Sequence, residues 1–308
     1  LTLTKSRYLG VEFTKPALVN EDMKVEGSTV GVSVRNYHPG LPIDDTIIWE
    51  LPEGWTVEPL SVPVNLPPGD SARYEFAVSS VGGLKEPPEM SLNFPVREGK
   101  TSRISRGLHL ARQATCIKAG EPPVLDGVLD EACWQDAETD LLVSNEEAPP
   151  IDPTHFYFAF DSENLYLAAR CQDAVMDSVR AEVAEQDGPV YSEDCVGYFI
   201  QPDSLKKIVY QIYFNPEGAV YDVRYRPGTD GYMNHDVSWD GDYEVGAGRD
   251  GEAWTIEMKI PLSQWGIEAA SGQNWGLNFR RKQARISNAG DWQPISADTQ
   301  TLGLLKFK

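Results

Sequence analysis

The residues that most often do chemistry are scattered along this chain. The four histidines, His38, His109, His155 and His235, lie far apart, and the apolar stretch around His155 predicts packing rather than catalysis. No G-x-S-x-G, H-E-x-x-H or P-loop motif is present to mark a nucleophile, a zinc site or a phosphate cradle. A catalytic pair of carboxylates cannot be picked out among 47 acidic residues. The sequence therefore predicts a protein that is not an enzyme.

The four cysteines predict buried thiols. Cys116, Cys133, Cys171 and Cys195 contain no C-x-x-C pair, so a zinc ribbon is not indicated. Four cysteines allow two disulfides without requiring any. Each lies in an apolar context that resembles a strand or a helix, which favours free thiols in a core.

Aromatic residues near polar loops are the remaining candidates for contact with a ligand. Trp239 lies at a polar junction of loop and strand, and residues 227–236 form a predicted loop with aromatic, amide and acidic side chains. Such loops carry function on rigid scaffolds or serve only as connections, and both interpretations stay open. Trp254, Trp265 and Trp275 lie in or beside apolar strands, which predicts core packing.

The net charge restricts the partners of the protein. The 308 residues include 47 acidic and 27 basic side chains, and the net charge is −20. Such a surface repels nucleic-acid phosphates and anionic membranes but is compatible with neutral ligands and divalent cations. No run of 18 apolar residues predicts a membrane span. We therefore expect neither nucleic acid nor a spanned membrane among its partners.

Short alternating stretches fill the first part of the chain. Residues 29–36, 45–51, 55–57 and 73–78 are strand-like, and turns rich in proline and glycine separate them. Several strands at a spacing of roughly ten residues are typical of a β-sandwich. Residues 97–112 are basic and polar and predict either a linker or a final strand with its connection.

The order of these pieces resembles the immunoglobulin-like NEW3 domain. The resemblance implies a sandwich over residues 6–110 that serves as a spacer or packing partner beside secreted glycosidases. It is carried by the strand that ends at Arg35-Asn36, by LPEGW (51–55) and by LPPGD (66–70) before the strand at 74–78.

A second pattern begins near residue 114. Residues 123–134 predict a turn and one short helix that Trp134 anchors. Nine strand-like stretches follow with almost no helix, which predicts a larger second sandwich over residues 114–308 and an all-β protein of two tandem sandwiches. The strands are expected at 155–160, 165–171, 194–201, 208–215, 220–225, 243–248, 253–259, 275–281 and 302–307.

The second segment resembles family 9 carbohydrate-binding modules and the wider group of DOMON-like domains. The resemblance covers residues 114–308 and rests on an ordered series of motifs rather than on any single one. The motifs are PVLDG (123–127), DEACW (130–134), DSENLYL (161–167), EDCVGYF (193–199), YQIYFNPEG (210–218), WTIEMKIPL (254–262), WGLNF (275–279) and LGLL (302–305).

This resemblance implies a sugar slot. Members that bind sugars use two Trp rings, because aromatic planes cover the C–H faces of a pyranose while polar side chains bind its hydroxyl rim. The resemblance places the first ring at Tyr191 and the second at Trp292, the alternative for Trp292 being a structural Trp in the preceding loop. Where the family has Glu, Arg and Gln, this chain has Gly197, Tyr213 and Arg280.

The predicted ligand-binding residues follow from these matches. We expect Tyr191 and Trp292 to stack, and Arg280 to bind hydroxyl groups or the oxyanion of a uronate or sulfate. The complete predicted set is Tyr191, Tyr213, Arg280 and Trp292, with Asn278 and Trp239 behind them.

Structural calcium is common in the family that this segment resembles. Calcium binds six to eight oxygen atoms, and the motif positions place candidate ligands at Asp173, Asp177, Glu193 and Asp194. No D-x-D-x-D-G loop is present, so solvated acidic turns are the alternative.

The predicted function is a non-catalytic pair of modules that binds a plant or algal polysaccharide. We expect it to be secreted, periplasmic or at the cell surface, and to assist a carbohydrate-active enzyme, with a catalytic domain in the same polypeptide. A structural or protein-interaction module without sugar binding is one alternative. The other is a haem-binding electron-transfer domain, as some DOMON-like domains are, with Met176, Met258, His235 and Lys282 as available axial ligands.

Overall fold

Short β-strands make up nearly all of the regular structure of this protein. The chain divides into two units, Leu1–Gln113 and Ala114–Lys308, where the sequence analysis places domains at 6–110 and 114–308. Within the described residues no helix is long and apolar enough to span a bilayer. A computed structural model describes residues 4–5, 7–20, 22–81, 87–135, 143–144, 149–203, 206–228, 233–293 and 302–308.

The first unit is a sandwich of two antiparallel sheets. Its strands are β1 (Thr4–Lys5), β2 (Leu9–Lys15), β3 (Ala17–Val19), β4 (Ser28–Asn36), β5 (Ile43–Glu50), β6 (Trp55–Glu58), β7 (Ser61–Leu66), β8 (Ser71–Ser80), β9 (Glu89–Arg97), β10 (Lys100–Gly107) and β11 (Leu110–Lys118). One sheet has the order β1-β2-β4-β8-β6 and the other β10-β9-β5-β7. Trp49 of β5 packs edge-on against Phe76 of β8, with ring centroids 5.3 Å apart, so the core lies between the sheets.

Residues 97–112 are mostly strand and not a linker. β10 pairs with β9 from Lys100 to Gly107. β11 starts at Leu110, and its residues 110–112 pair in parallel with β3. Of the two alternatives for this segment, the final strand is correct, and the boundary between the units falls inside β11.

The second unit is a larger sandwich with one short helix among its described residues. After β11 the chain forms α1 (Ala132–Gln135), β12 (Val143–Ser144), β13 (Thr154–Phe160), β14 (Asn164–Gln172), β15 (Cys195–Gln201), β16 (Val209–Phe214), β17 (Val220–Pro227), β18 (Met233–Asp236), β19 (Glu244–Arg249), β20 (Ala253–Pro261), β21 (Asn274–Gln283), β22 (Asn288–Asp291) and β23 (Gly303–Phe307). Single 3-10 turns lie at Met176–Ser178, Val190–Ser192, Leu262–Trp265 and Ala284–Ile286. The predicted all-β class is confirmed.

One continuous sheet folds back on itself in this unit and forms two facing layers, which β23 and β11 join and which we call the site sheet and the support sheet. The site sheet has the order β18-β17-β16-β15-β21, and the far edge of β21 pairs with β22 and β23. The support sheet has the order β11-β13-β14-β20-β19. Phe156 of the support sheet packs on Phe279 of the site sheet with centroids 4.3 Å apart, and on Tyr198 at 5.8 Å. Aromatic rings therefore fill the core, and the other face of the site sheet is left for a ligand.

The sequence pattern missed two strands of the site sheet. β18 lies in the segment predicted as a loop, of which residues 229–232 lie outside the described residues. β18 is polar and largely exposed, and β22 is built from Asn, Ala, Gly and Asp. Neither strand has an apolar side chain at every second position, so the sequence does not indicate a strand in either segment.

All four cysteines are buried and none is paired. Burial raises the pKa of Cys171 and Cys195 to about 12. The thiols therefore stay protonated and serve as small apolar core residues.

Candidate ligand-binding site

One row of paired residues crosses the outer face of the site sheet. Tyr213 of β16 lies opposite Tyr221 of β17 and opposite Gly197 of β15. On the other side of Gly197 lies Arg280 of β21, which in turn pairs with Asp291 of β22. Because paired side chains share a face of the sheet, strand register alone brings these residues together.

Gly197 makes room for Tyr213 in this row. A Cβ atom at position 197 would lie 2.6 Å from Cδ1 of Tyr213, well inside van der Waals contact. The Tyr213 ring therefore covers the glycine, and the ring occupies the space that a side chain at 197 would need. Tyr213 is almost fully buried as a result.

Arg280 is held in place at the end of the row. Its Nε and Nη2 donate to the two carboxylate oxygens of Asp291 at 3.0 and 2.7 Å, and its Nη1 donates to Tyr213 Oη at 3.4 Å. Burial lowers the pKa of Arg280, but the bonds to Asp291 outweigh burial and the net pKa is raised. The guanidinium is therefore a fixed, charged donor group.

Tyr191 forms the rim of a pocket above this row. It lies in the 3-10 turn Val190–Ser192, is 47% exposed, and packs edge-on against Tyr221 with centroids 4.9 Å apart. Lys282 Nζ donates to the Tyr191 carbonyl at 3.0 Å and ties the turn to β21. The pocket encloses about 420 Å³, and its described lining residues are Tyr191, Cys195, Gln211, Tyr213, Tyr221, Tyr225, Arg280, Lys282 and Ala289.

The buried phenol of Tyr213 and the half-buried phenols of Tyr221 and Tyr225 are neutral hydrogen-bonding groups of this pocket. Burial raises the pKa of Tyr213, Tyr221 and Tyr225 above the ordinary tyrosine value. Tyr225 Oη donates to Gln211 Oε1, which orients that amide. The pocket thus combines aromatic surface with amide, phenol, guanidinium and ammonium groups, a mixture that suits a ligand with apolar and polar faces.

Comparison with known proteins identifies the family. Residues 125–301 match the family described as carbohydrate family 9 binding domain-like. The chain belongs to that family. No curated protein sequence matches it.

One solved structure supports the fold of this family 9 module, and a second has a lower similarity. A Bacteroides uniformis protein, provisionally named carbohydrate-binding, is similar at 19% identity and a TM-score of 0.51, over 64% of this chain and 100% of that one. A family 9 module of Caldicellulosiruptor kristjanssonii in complex with cellotriose has 17% identity and a TM-score of 0.44, over 64% of this chain and 93% of its own. At such identities the first similarity shows the fold alone.

Two of the predicted ligand residues do not reach the pocket of the family 9 module. Trp292 is only 1% exposed, and its ring stacks on Phe279 with centroids 4.9 Å apart in the core. This burial in the core does not fit the prediction that Trp292 stacks on a sugar, and it favours a structural role for the ring. Asn278 shares the outer face with Arg280, but its Oδ1 accepts the backbone N–H groups of Phe279 and Gln293, which fixes it as a structural group.

Trp239 lies apart from the pocket as well. Its ring packs against Tyr210, with centroids 4.7 Å apart, and the Arg224 guanidinium lies 5.7 Å from the ring. Tyr210 and Gln211 are successive residues of a strand and point to opposite faces of the site sheet. The structure therefore separates Trp239 from Tyr191, Tyr213 and Arg280.

The sequence analysis did not predict six of the lining residues as ligand contacts: Cys195 and Ala289, and four with larger aromatic or polar side chains. Gln211, Tyr221 and Tyr225 follow the same alternation as Tyr213, and Lys282 stands two residues after Arg280 on β21. The period of two was a usable signal for placing them on one face. It did not identify that face as the outer one, since β16 is apolar on both sides.

Asp173, a predicted calcium ligand, is part of a buried ion-pair network. Its Oδ2 accepts Gln283 Nε2 at 2.6 Å and lies 3.4 Å from Arg281 Nη2, while Arg285 Nη2 approaches Oδ1 at 3.2 Å. Arg281 is completely buried and also donates to Thr154 and to the Gln172 carbonyl. The network joins β21 of the site sheet to the support sheet, and it uses the oxygens that a calcium ion would need.

The other predicted calcium ligands are also occupied or isolated. Glu193 accepts the backbone N–H groups of Glu182 and Val183, and Asp194 accepts those of Arg180 and Ala284. Burial raises the pKa of Asp194, which disfavours its charged form. Asp177 is exposed.

The described part of the chain contains no group of three or more acidic, His or Cys side chains placed to hold a metal. Together with the hydrogen bonds above, this means that the predicted set of four carboxylates does not fit a calcium ion.

The residues named for the haem alternative do not converge. Met258 is completely buried in the core between the sheets. His235 packs on Tyr225 and Lys282 lines the pocket, both on the outer face of the site sheet. An axial pair of methionine with either residue would have to pass through the sheet.

Proposed function

We propose that the family 9 module of this protein binds a plant or algal polysaccharide in the tyrosine pocket. The observation that carries the proposal is the open pocket of about 420 Å³ with four tyrosines and a fixed guanidinium. A pyranose has apolar C–H faces, which tyrosine rings desolvate, and a hydroxyl rim, which Arg280 and Gln211 bind. The half-exposed ring of Tyr191 is the stacking surface nearest to solvent.

The proposed role is binding without catalysis. The common mechanism of glycoside hydrolysis needs two carboxyl groups beside the scissile bond. The described lining residues of the pocket include no carboxylate. This supports a module that holds a glycan while another domain acts on it.

We further propose that the protein is secreted, periplasmic or at the cell surface and assists a carbohydrate-active enzyme, with its first unit as a spacer. Family membership supports this role. A catalytic domain in the same reading frame is the expected finding. If the same reading frame instead encodes a domain of unrelated cytoplasmic function, the accessory role is wrong, but the proposed sugar binding in the pocket still stands.

The test of sugar binding is a glycan panel with a matched pair of tyrosine variants. In Tyr191→Ala we expect the affinity for the bound glycan to fall at least tenfold, or about 1.4 kcal/mol, by calorimetry. Tyr37→Ala is the control, because Tyr37 is 39% exposed but belongs to the first unit. Thermal unfolding of both variants checks that they fold.

Two outcomes contradict this proposal. If no glycan of the panel binds to the wild type, a structural or protein-interaction module is the better hypothesis. If a glycan binds and Tyr191→Ala binds it as tightly as Tyr37→Ala does, the binding site lies elsewhere on the module.

A further inference from the structure

The charge of the tyrosine pocket is opposite to that of the protein. The whole chain has a net charge of −20. The described residues that line the pocket include two cations, Arg280 and Lys282, and no carboxylate. At physiological ionic strength charges are screened over about 8 Å, so a bound ligand responds mainly to these neighbours.

The two cations are not equivalent. Arg280 is neutralised by Asp291 through two hydrogen bonds, at 3.0 and 2.7 Å. Lys282 lies two residues further along β21, and its Nζ bonds a neutral group, the Tyr191 carbonyl, at 3.0 Å. Among the described residues no carboxylate forms an ion pair with Lys282. Lys282 is therefore a positive charge of the pocket that pairs with no carboxylate of the described residues.

The two charged side chains of the lining offer free hydrogen-bond donors and no acceptors. An ammonium has three N–H groups and a guanidinium has five. Lys282 uses one for the Tyr191 carbonyl, and Arg280 uses three for Asp291 and Tyr213. Gln211 has its carbonyl oxygen engaged by Tyr225. A neutral sugar needs both donors and acceptors for its hydroxyls, whereas a carboxylate or sulfate only accepts.

We propose that the ligand of this pocket is an acidic glycan, whose carboxylate or sulfate ester contacts Lys282 and the free N–H groups of Arg280 while its ring packs on Tyr191. The inference rests on the proposed sugar binding and adds the ligand's charge to it. Uronates and sulfated sugars share this chemistry, and matched probes distinguish them.

The experiment compares acidic oligosaccharides with their neutral derivatives by calorimetry at constant ionic strength. One pair is an oligogalacturonate and its methyl ester. The other pair is a sulfated galactan oligosaccharide and its desulfated form. In one of these pairs we expect the acidic member to bind at least tenfold tighter, and that pair identifies the anion.

Two lysine variants show whether the preference belongs to the pocket. Lys282→Met keeps the length of the side chain and removes the charge, and we expect it to abolish the difference in affinity between the acidic and the neutral member of the pair. Lys306→Met is the control, since Lys306 is exposed on β23 and does not line the pocket. It should retain the full preference.

The results separate the inference from the proposal beneath it. Equal binding of acidic and neutral members, with both lost in Tyr191→Ala, overturns the acidic ligand and leaves sugar binding intact. If no oligosaccharide binds, the acidic ligand and the proposed sugar binding are both wrong. A preference that Lys282→Met and Lys306→Met weaken equally is a general charge effect and overturns the inference.

Discussion

Gly197 and Tyr213 show how one residue determines what its neighbour can be. The family that the sequence resembles has a Glu at the first position and an Arg at the second. The structure places the two positions opposite each other, with Arg280 on the other side of Gly197. Three departures that look independent along the chain are thus one local rearrangement, in which a tyrosine ring fills the space left by a glycine.

The Gly197→Ala variant tests this steric dependence. We expect a loss of about 1–3 kcal/mol in the free energy of unfolding, because the new methyl group overlaps the Tyr213 ring. Gly251→Ala is the control, since a Cβ there meets no atom within 4 Å. In the double variant with Tyr213→Ala the cost of the alanine at 197 should largely disappear. Equal stability of the two single variants in urea denaturation would show that the ring adapts freely.

At the scale of elements, Glu257 attaches the segment around α1 to the support sheet. Its Oε2 accepts the Gly127 N–H at 2.8 Å and its Oε1 accepts Trp134 Nε1 at 3.1 Å. Gly127 adopts a φ of +83° and touches the backbone of Ala247, so the segment lies directly on β19. A buried carboxylate with two N–H donors thereby holds this segment against the support sheet.

This carboxyl group makes stability depend on pH. Burial raises the pKa of Glu257 from 4.5 to about 7, against the opposing effect of its two hydrogen bonds. Between these values the unfolded chain releases the proton and the folded chain keeps it, so stability falls as the pH rises. The protonated Glu257 contributes up to about 3 kcal/mol to the free energy of unfolding. This contribution is complete below pH 4.5 and is lost above pH 7.

The measurement is chemical denaturation at pH 4.5, 5.5, 6.5 and 7.5 for the wild type and Glu257→Gln. The glutamine is neutral throughout, so its own packing cost is a constant offset. We expect the wild type to lose stability relative to the variant across this range. Parallel curves for the two proteins would mean that Glu257 has the same pKa folded and unfolded.

At the scale of the whole molecule, a net charge of −20 destabilises the folded state by self-repulsion. Added salt should raise the unfolding temperature by screening this repulsion. We expect calcium to raise it no more than magnesium at equal concentration, since Asp173, Glu193 and Asp194 already accept protein N–H groups. Differential scanning calorimetry with both ions and a chelator checks this. An increase specific to calcium would reveal a site formed by other groups.

What the sequence determined is local in origin. The alternation of apolar and polar side chains depends only on the two-residue period of a strand, so the all-β class and the strands from β13 to β17 were predictable with small errors at their ends. β18 and β22 were not, because their polar residues owe their strand conformation to hydrogen bonds with β17 and β21. Such pairing is invisible in a single segment.

What only the tertiary structure decided is which face each side chain uses and which residues meet. Trp292 has the chemistry of a stacking residue, but its contact with Phe279 places it in the core. Tyr221 and Lys282 were not predicted to contact a sugar, yet register and the turn at Tyr191 bring them into one pocket. Aromatic and charged residues suit several environments, and the choice is made by long-range packing, which a local pattern does not contain.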